Sequence, residues 1–284
     1  MVATSQYKVT YQRVKVTAGF TTDAVVCYPP NYDSLRKKPY PIAFWGQGLG
    51  NTPFSNIPSK PPISQIISGM IPQGEFVIID VYRNYTSWVA HEAYAMREFK
   101  KRGMNIDTTN IFQFGHSAGG GKAASSIYGS PTAGNNFDSS FSANVRAVVA
   151  LAPNQDFRRD NYNNIYKFPI PQWVVVGAND NGAYITMANE LNTQGNNRIT
   201  GIVELKVLAG QGHGGWESNI YNGSIRMESG KTMWEFFVSK LKDATPVPVT
   251  EVSRYEIIFK SDGSKTIQKV SGADQTLQNI CSGN

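Results

Sequence analysis

Cysteine is nearly absent from this 284-residue chain: Cys27 and Cys281 are the only two. Two cysteines so far apart fit neither a disulfide framework nor a zinc-ligand pattern. Cys27 lies in the apolar run Ala24–Tyr28 and reads as a small core residue, with a Cys27–Cys281 bridge as the alternative. Histidine is almost as scarce, with three in all, so no histidine-rich metal site is expected and none is assigned. Charged residues make up only 17%, against about 25% in an average soluble domain. With 40% hydrophobic residues, that excludes intrinsic disorder, which needs low hydrophobicity and high net charge. No run reaches the roughly 18 consecutive apolar residues of a spanning helix, so stable membrane insertion is not expected. Neither a signal core nor a long basic stripe is present either. The net charge of +6 is scattered in groups such as Arg36-Lys37-Lys38 and Lys100-Lys101-Arg102, and a nucleic-acid partner is not expected.

What is present alternates. A period-two segment over residues 7–16 and a second strand near 23–28, closed by Pro29-Pro30, predict an antiparallel start. Apolar runs at Tyr40–Trp45, Phe76–Val81, Ile111–Phe114, Ala147–Ala152, Trp173–Val176 and Ile202–Leu208 read as buried strands. Between them, helices are predicted at Trp88–Arg102, Ala118–Tyr128, Tyr184–Leu191 and Met227–Leu241. Doubly buried strands separated by helices imply an α/β domain with a mostly parallel central sheet and helices on both faces. That domain is expected to span residues 1–243. Residues 244–284 read as a Pro-rich linker and a hairpin, Tyr255–Phe259 and Thr266–Val270 around Asp262-Gly263.

One stretch carries chemistry. Gly115-His116-Ser117-Ala118-Gly119 is a G-x-S-x-G pattern with an apolar strand before it and a small-residue helix after it. The pattern alone is weak, with about 0.2 matches expected by chance at this serine and glycine content. Its context is that of a nucleophile elbow, a strand–turn–helix so tight that both flanking positions must lack bulk. A serine hydroxyl needs a base. His116 adjoins the serine and should point away, as a structural residue. His91, inside a helical run, reads as a capping or surface residue. His213, in the Gly-rich loop Ala209–Trp216 after the last strand, is the candidate base. Asp180, just past the strand Trp173–Val176, is the candidate acid, with Asp156 as runner-up; Asp80 precedes the serine, against the serine–acid–histidine chain order that goes with such an elbow. The amide of Ala118 is one candidate oxyanion donor, and the second comes from the loop Gly46-Gln47-Gly48, Gln47 first and Gly48 as the alternative. That loop resembles a dinucleotide fingerprint only superficially, and no cofactor is expected.

With these residues in place, the chain over about 8–242 resembles an α/β-hydrolase-fold serine esterase. It is similar to the esterase-D, feruloyl-esterase and polyhydroxybutyrate-depolymerase-like group at Tyr28–Asp33, Lys38–Pro41 and Asn105–Ile111. The run Gly115–Gly121 also resembles cutinase-like polyester hydrolases. Trp45-Gly46 departs from that group's usual His-Gly at the oxyanion strand. The resemblance implies the order Ser117, Asp180, His213 for a catalytic triad. Only the 18 residues Asn154–Pro171 separate two successive strands, too few for a large cap domain. An open cleft suits a bulky or polymeric ester, and Trp45, Trp88 and Trp216 are candidates for its walls, with a core position as the competing reading for each. An imidazole base must be neutral, so activity should fall on the acid side. A peptidase or acyltransferase of the same fold and a carbohydrate-binding module on a hydrolase scaffold are the competing functions. Low charge and abundant Asn, Gly, Ser, Thr and Tyr point to a secreted or periplasmic protein whose leader is not part of this chain, a cytoplasmic protein being the alternative; the sequence is silent on oligomeric state, and a monomer is the expectation.

Overall fold

The computed structural model describes residues 8–17, 20–29, 32–48, 62–81, 88–129, 138–155, 157–242, 255–259 and 265–269. Ten strands and eight α-helices are described. The strands are β1 (Lys8–Thr17), β2 (Phe20–Tyr28), β3 (Tyr40–Gly46), β4 (Val77–Val81), β5 (Ile106–His116), β6 (Val145–Leu151), β7 (Gln172–Gly177), β8 (Val203–Leu208), β9 (Tyr255–Phe259) and β10 (Lys265–Lys269). The helices are α1 (Ile63–Met70), α2 (Trp88–Lys101), α3 (Ala118–Tyr128), α4 (Ser139–Ser142), α5 (Asn164–Lys167), α6 (Gly182–Asn196), α7 (Glu217–Tyr221) and α8 (Met233–Val238).

Eight strands form one sheet in the order β1-β2-β4-β3-β5-β6-β7-β8. β1 pairs antiparallel with β2, and β2 antiparallel with β4; all later neighbours are parallel. Alternate residues enter opposite cores, as the two-residue strand period demands. Ile42 and Phe44 of β3 face a core shared with α2, α3 and α6, while Ala43 and Trp45 face one shared with α1, α7 and α8. The result is three layers, helix–sheet–helix. β9 and β10 pair antiparallel, with β9 approaching β1. The Asp262-Gly263 turn and Cys281 lie outside the described residues, and Cys27 is buried.

The chain leaves β3 for β4 on one side and later returns to place β5 on its other side. Strand order therefore reverses between β3 and β5, and the crevice at their carboxyl ends is where ligands enter open α/β sheets. Between β6 and β7, the described residues of 154–171 carry only a 3-10 turn at Arg159–Asn161 and the four-residue α5.

Some elements differ from expectation. The helix expected over Met227–Leu241 is confined to Met233–Val238. Gly230, at φ +77°, turns the chain, and Thr232 then starts the helix with a capping box. Its hydroxyl accepts from the Glu235 amide at 3.2 Å while the Glu235 carboxylate accepts from the Thr232 amide at 2.7 Å. α1 and α7 were not expected, and β5 runs longer than the apolar segment that announces it.

Candidate active site

Ser117 links β5 to α3 in a backbone conformation rare for a side-chain-bearing residue, φ +58° and ψ −122°. Such a residue costs on the order of 1–3 kcal/mol and persists only where its surroundings impose it. Here the surroundings are backbone. Gly115 and Gly46 are register partners at the ends of β5 and β3. A Cβ on Gly115 would stand 2.4 Å from the Gly46 carbonyl oxygen, and one on Gly119 only 1.9 Å from the same atom. Both glycines of the elbow are thus required by the close approach of β3 to the turn. The Ser117 amide donates to the Leu151 carbonyl at 2.8 Å, and the Ser117 carbonyl accepts from Gly121 and Asn154, which ties the turn to β6 and α3.

The loops after β7 and β8 are joined in the same way. The Ala178 amide donates to Leu208 at 2.9 Å and the Asn179 amide to Gln211 at 2.8 Å. A Cβ on Gly177 would lie 2.3 Å from the Gly212 carbonyl oxygen, so a side chain there would push the second loop away. This zipper brings residues 33 apart in sequence into contact. His213 Nδ1 lies 3.0 and 3.1 Å from the two Asp180 carboxylate oxygens, and His213 Nε2 lies 3.0 Å from Ser117 Oγ. A carboxylate only accepts, so Nδ1 of the neutral ring carries the proton and Nε2 is left to accept from the serine. The Asp180 side chain is fully buried while that of His213 is 40% exposed, so the pair is anchored inside at the carboxylate and open at the imidazole. Asp180 Oδ1 also accepts from the Asn181 amide at 2.6 Å, which fixes the carboxylate plane.

The structure thus brings Ser117, Asp180 and His213 together. Asp156 lies outside the described residues. Gln47 follows β3 directly, and its amide nitrogen lies 3.0 Å from where a Cβ on Gly119 would stand, alongside the first turn of α3. Ala118 opens that helix, whose first amides have no partner within the helix. Gln47 adds something unanticipated: its side-chain amide donates to the buried Asp80 carboxylate on β4, which pins the loop from behind. Among the described residues, no group of three or more His, Cys, Asp and Glu is placed to hold a metal ion.

Two of the proposed cleft walls are corrected. Trp45 and Trp216 are 4% and 2% exposed and belong to the core shared with α1, α7 and α8. The Trp216 indole N–H donates to the Gly212 carbonyl at 2.9 Å, which draws the ring inward beneath the His213 loop. The Trp88 side chain lies outside what is described. An aromatic ring that does meet His213 is that of Tyr184, with its centroid 4.1 Å from that of the imidazole and tilted 34°. It lies in the first turn of α6, four residues after Asp180, and was not among the residues singled out from the sequence. His91 is also corrected: it is buried on α2 beside Lys122 rather than at the surface, and burial, with the Lys122 charge second, holds its pKa below the ordinary value.

No protein-family model matches the sequence, and no curated protein matches it. Solved structures do. A serine-to-alanine mutant of the feruloyl esterase module from Clostridium thermocellum, complexed with sinapinate, aligns with TM-score 0.63 over 87% of this chain and 93% of its own, at 12% identity. A ferulic acid esterase aligns with TM-score 0.54 at 16% identity, covering 78% and 95%. An acylaminoacyl peptidase from Pyrococcus horikoshii aligns with TM-score 0.55 at 12% identity, over 84% of this chain and 42% of its own. Layer order, the reversal between β3 and β5 and these likenesses agree, and the chain has the α/β-hydrolase fold.

Proposed function

We propose that this chain is a serine carboxylic-ester hydrolase that works through an acyl-enzyme. The observation that carries the reading is the continuous contact from the Asp180 carboxylate through the His213 ring to Ser117 Oγ, each link 3.0–3.1 Å. Ser117 Oγ attacks the acyl carbon as His213 Nε2 takes the hydroxyl proton, and the Asp180 carboxylate holds the tautomer and stabilises the imidazolium. The amides of Ala118 and Gln47 receive the oxyanion, a contribution of about 3–4 kcal/mol per donor in such sites. When the ester C–O bond breaks, the proton on Nε2 passes to the departing alkoxide. Water then attacks the acyl-enzyme, His213 accepts its proton, and the acid leaves as that proton returns to Ser117 Oγ.

For the substrate we favour a bulky or polymeric ester, a polysaccharide acyl ester or a polyester. The short β6–β7 connection supports this, and so does the likeness to a feruloyl esterase module complexed with sinapinate. The likeness to an acylaminoacyl peptidase supports a second reading, amide hydrolysis. The test is labelling with a fluorophosphonate, followed by turnover of an aryl ester and its matched anilide, for the chain and its Ser117→Ala variant. Labelling and ester turnover that both vanish in the folded variant are expected. Faster cleavage of the anilide would favour the peptidase, and absence of any label on folded protein would favour a binding module. Acetylated xylan, feruloylated glycan and a polyester film then sort the acyl classes.

A further inference from the structure

His116 immediately precedes the elbow serine, yet its side chain leaves the elbow. The imidazole crosses to the loop after β8, where Nε2 meets the backbone carbonyl of His213. A carbonyl oxygen only accepts, so Nε2 carries the proton and His116 is the donor. The His116 ring lies 4.8 Å from the His213 ring and stands edge-on to Trp216 at 5.8 Å. Its Cε1 and a Glu217 carboxylate oxygen both border the space above Gly214. Burial, the largest influence, holds the His116 imidazole below its ordinary pKa, which keeps it neutral with one N–H to donate.

The loop that His116 grips is rich in glycine. Gly210, Gly212, Gly214 and Gly215 surround His213, and Gly210 and Gly215 sit at φ +71° and +92°. Such backbone has many accessible conformations and holds a base in place only if something else fixes it. The indole N–H of Trp216 fixes residue 212. The bond from His116 fixes residue 213 itself, and it does so from the position adjoining the nucleophile.

We propose that His116 is a positioning residue for the base, its Nε2–H tying the His213 carbonyl to the elbow so that Nε2 of His213 and Oγ of Ser117 keep their register. The proposal rests on the reading of Ser117, His213 and Asp180 as the catalytic groups. A filler of the same volume that lacked the donor would leave the core packed and the base loose, and a misplacement of about 1 Å costs on the order of 100-fold in rate.

Three variants separate a tether from a filler. In His116→Gln the amide nitrogen reaches as far as the imidazole Nε2; in His116→Asn it reaches only as far as Nδ1; His116→Met fills the space without a donor. The Gln variant is expected to keep kcat within about 3-fold, while Asn and Met lose about 10- to 100-fold in kcat with KM within about 2-fold. The second readout needs no turnover. With three histidines in the chain, the downfield proton on His213 Nδ1 is assignable by proton NMR. It should persist in the wild type and in the Gln variant and broaden in Asn and Met. Should the Met variant not fold, the Gln and Asn pair, alike in polarity and different in reach, decides the matter. Unchanged kcat and resonance in Asn or Met, or a Gln variant as impaired as Asn, would overturn the proposal. A wild type without turnover whose resonance still follows this pattern would remove the esterase reading and leave the tether standing.

Discussion

Among the described residues, Glu92 and Asp180 are carboxylates buried against a basic group, and their enclosures differ. Glu92, on α2, meets Lys122 of α3 at 2.9 Å and accepts from the side-chain amide of Gln113 on β5, with the two charged side chains 1% and 5% exposed. Asp180 is equally buried, but the ring it holds is 40% exposed. In the first cluster both ends are inside, so its charges serve to dock α2 and α3 on the sheet. In the second, the carboxylate uses one nitrogen of the imidazole and leaves the other free to face a hydroxyl. A buried carboxylate does chemistry only when the group it orients stays within reach of a substrate. The first pair is a rivet, the second a handle.

The largest effect that sharpens this contrast is expected from Asp180→Asn. The amide can donate to Nδ1 and stabilise the wrong tautomer, so kcat should fall by about four orders of magnitude while the fold is kept. Kinetics on an aryl ester, with circular dichroism as the control, checks this; a loss smaller than tenfold would remove Asp180 from the mechanism. Lys122→Met should do the reverse. It strands the Glu92 carboxylate in the core and should cost about 3–5 kcal/mol in urea unfolding, with turnover of the folded fraction unchanged. Replacing both partners, Lys122→Met with Glu92→Leu, should recover most of that loss, because two apolar groups leave no charge unmatched. If the double variant is no more stable than the single, Glu92 and Lys122 do not form a closed pair.

The same contrast separates what could be read in the sequence from what could not. The elbow was legible because its demands fall on neighbouring residues: Gly115 and Gly119 must both be bare for Gly46 to approach. Asp180 and His213 were legible as candidates because each follows a strand that ends at one edge of a parallel sheet. The rivet was not, since Glu92 and Lys122 lie on different helices and each alone reads as a solvated charge. His91 was misread for the same reason: a lone histidine on α2 does not announce its burial or the nearby Lys122 charge on α3. Trp45 and Trp216 were ambiguous because large aromatic rings suit a wall and a core equally. Only the bond from the Trp216 indole to Gly212 sets which way the second one turns. The start of α8 was present as Thr232-x-x-Glu235, but the apolar spacing upstream, from Met227, masked it.

The smallest expected effect concerns His91, which stands beside the rivet and not beside the handle. In the unfolded chain its imidazole titrates near 6.5; in the fold, burial and then the Lys122 charge lower that value. Below pH 6.5 the unfolded state therefore takes up a proton that the folded state refuses. Stability is whole above that pH and drains away as pH falls toward the folded value, with a slope of at most about 1.4 kcal/mol per pH unit for one proton. His116 shifts in the same direction and adds to the slope, whereas Asp107 and Asp138, also lowered, act in a separate window below about pH 4. Urea unfolding of His91→Gln between pH 8 and pH 5 should thus show a shallower decline than the wild type, with the His116 share remaining. Since Gln does not titrate, identical slopes in the two proteins would mean that His91 is protonated in the fold, and that the neighbourhood of Lys122 is wetter than a closed pair allows.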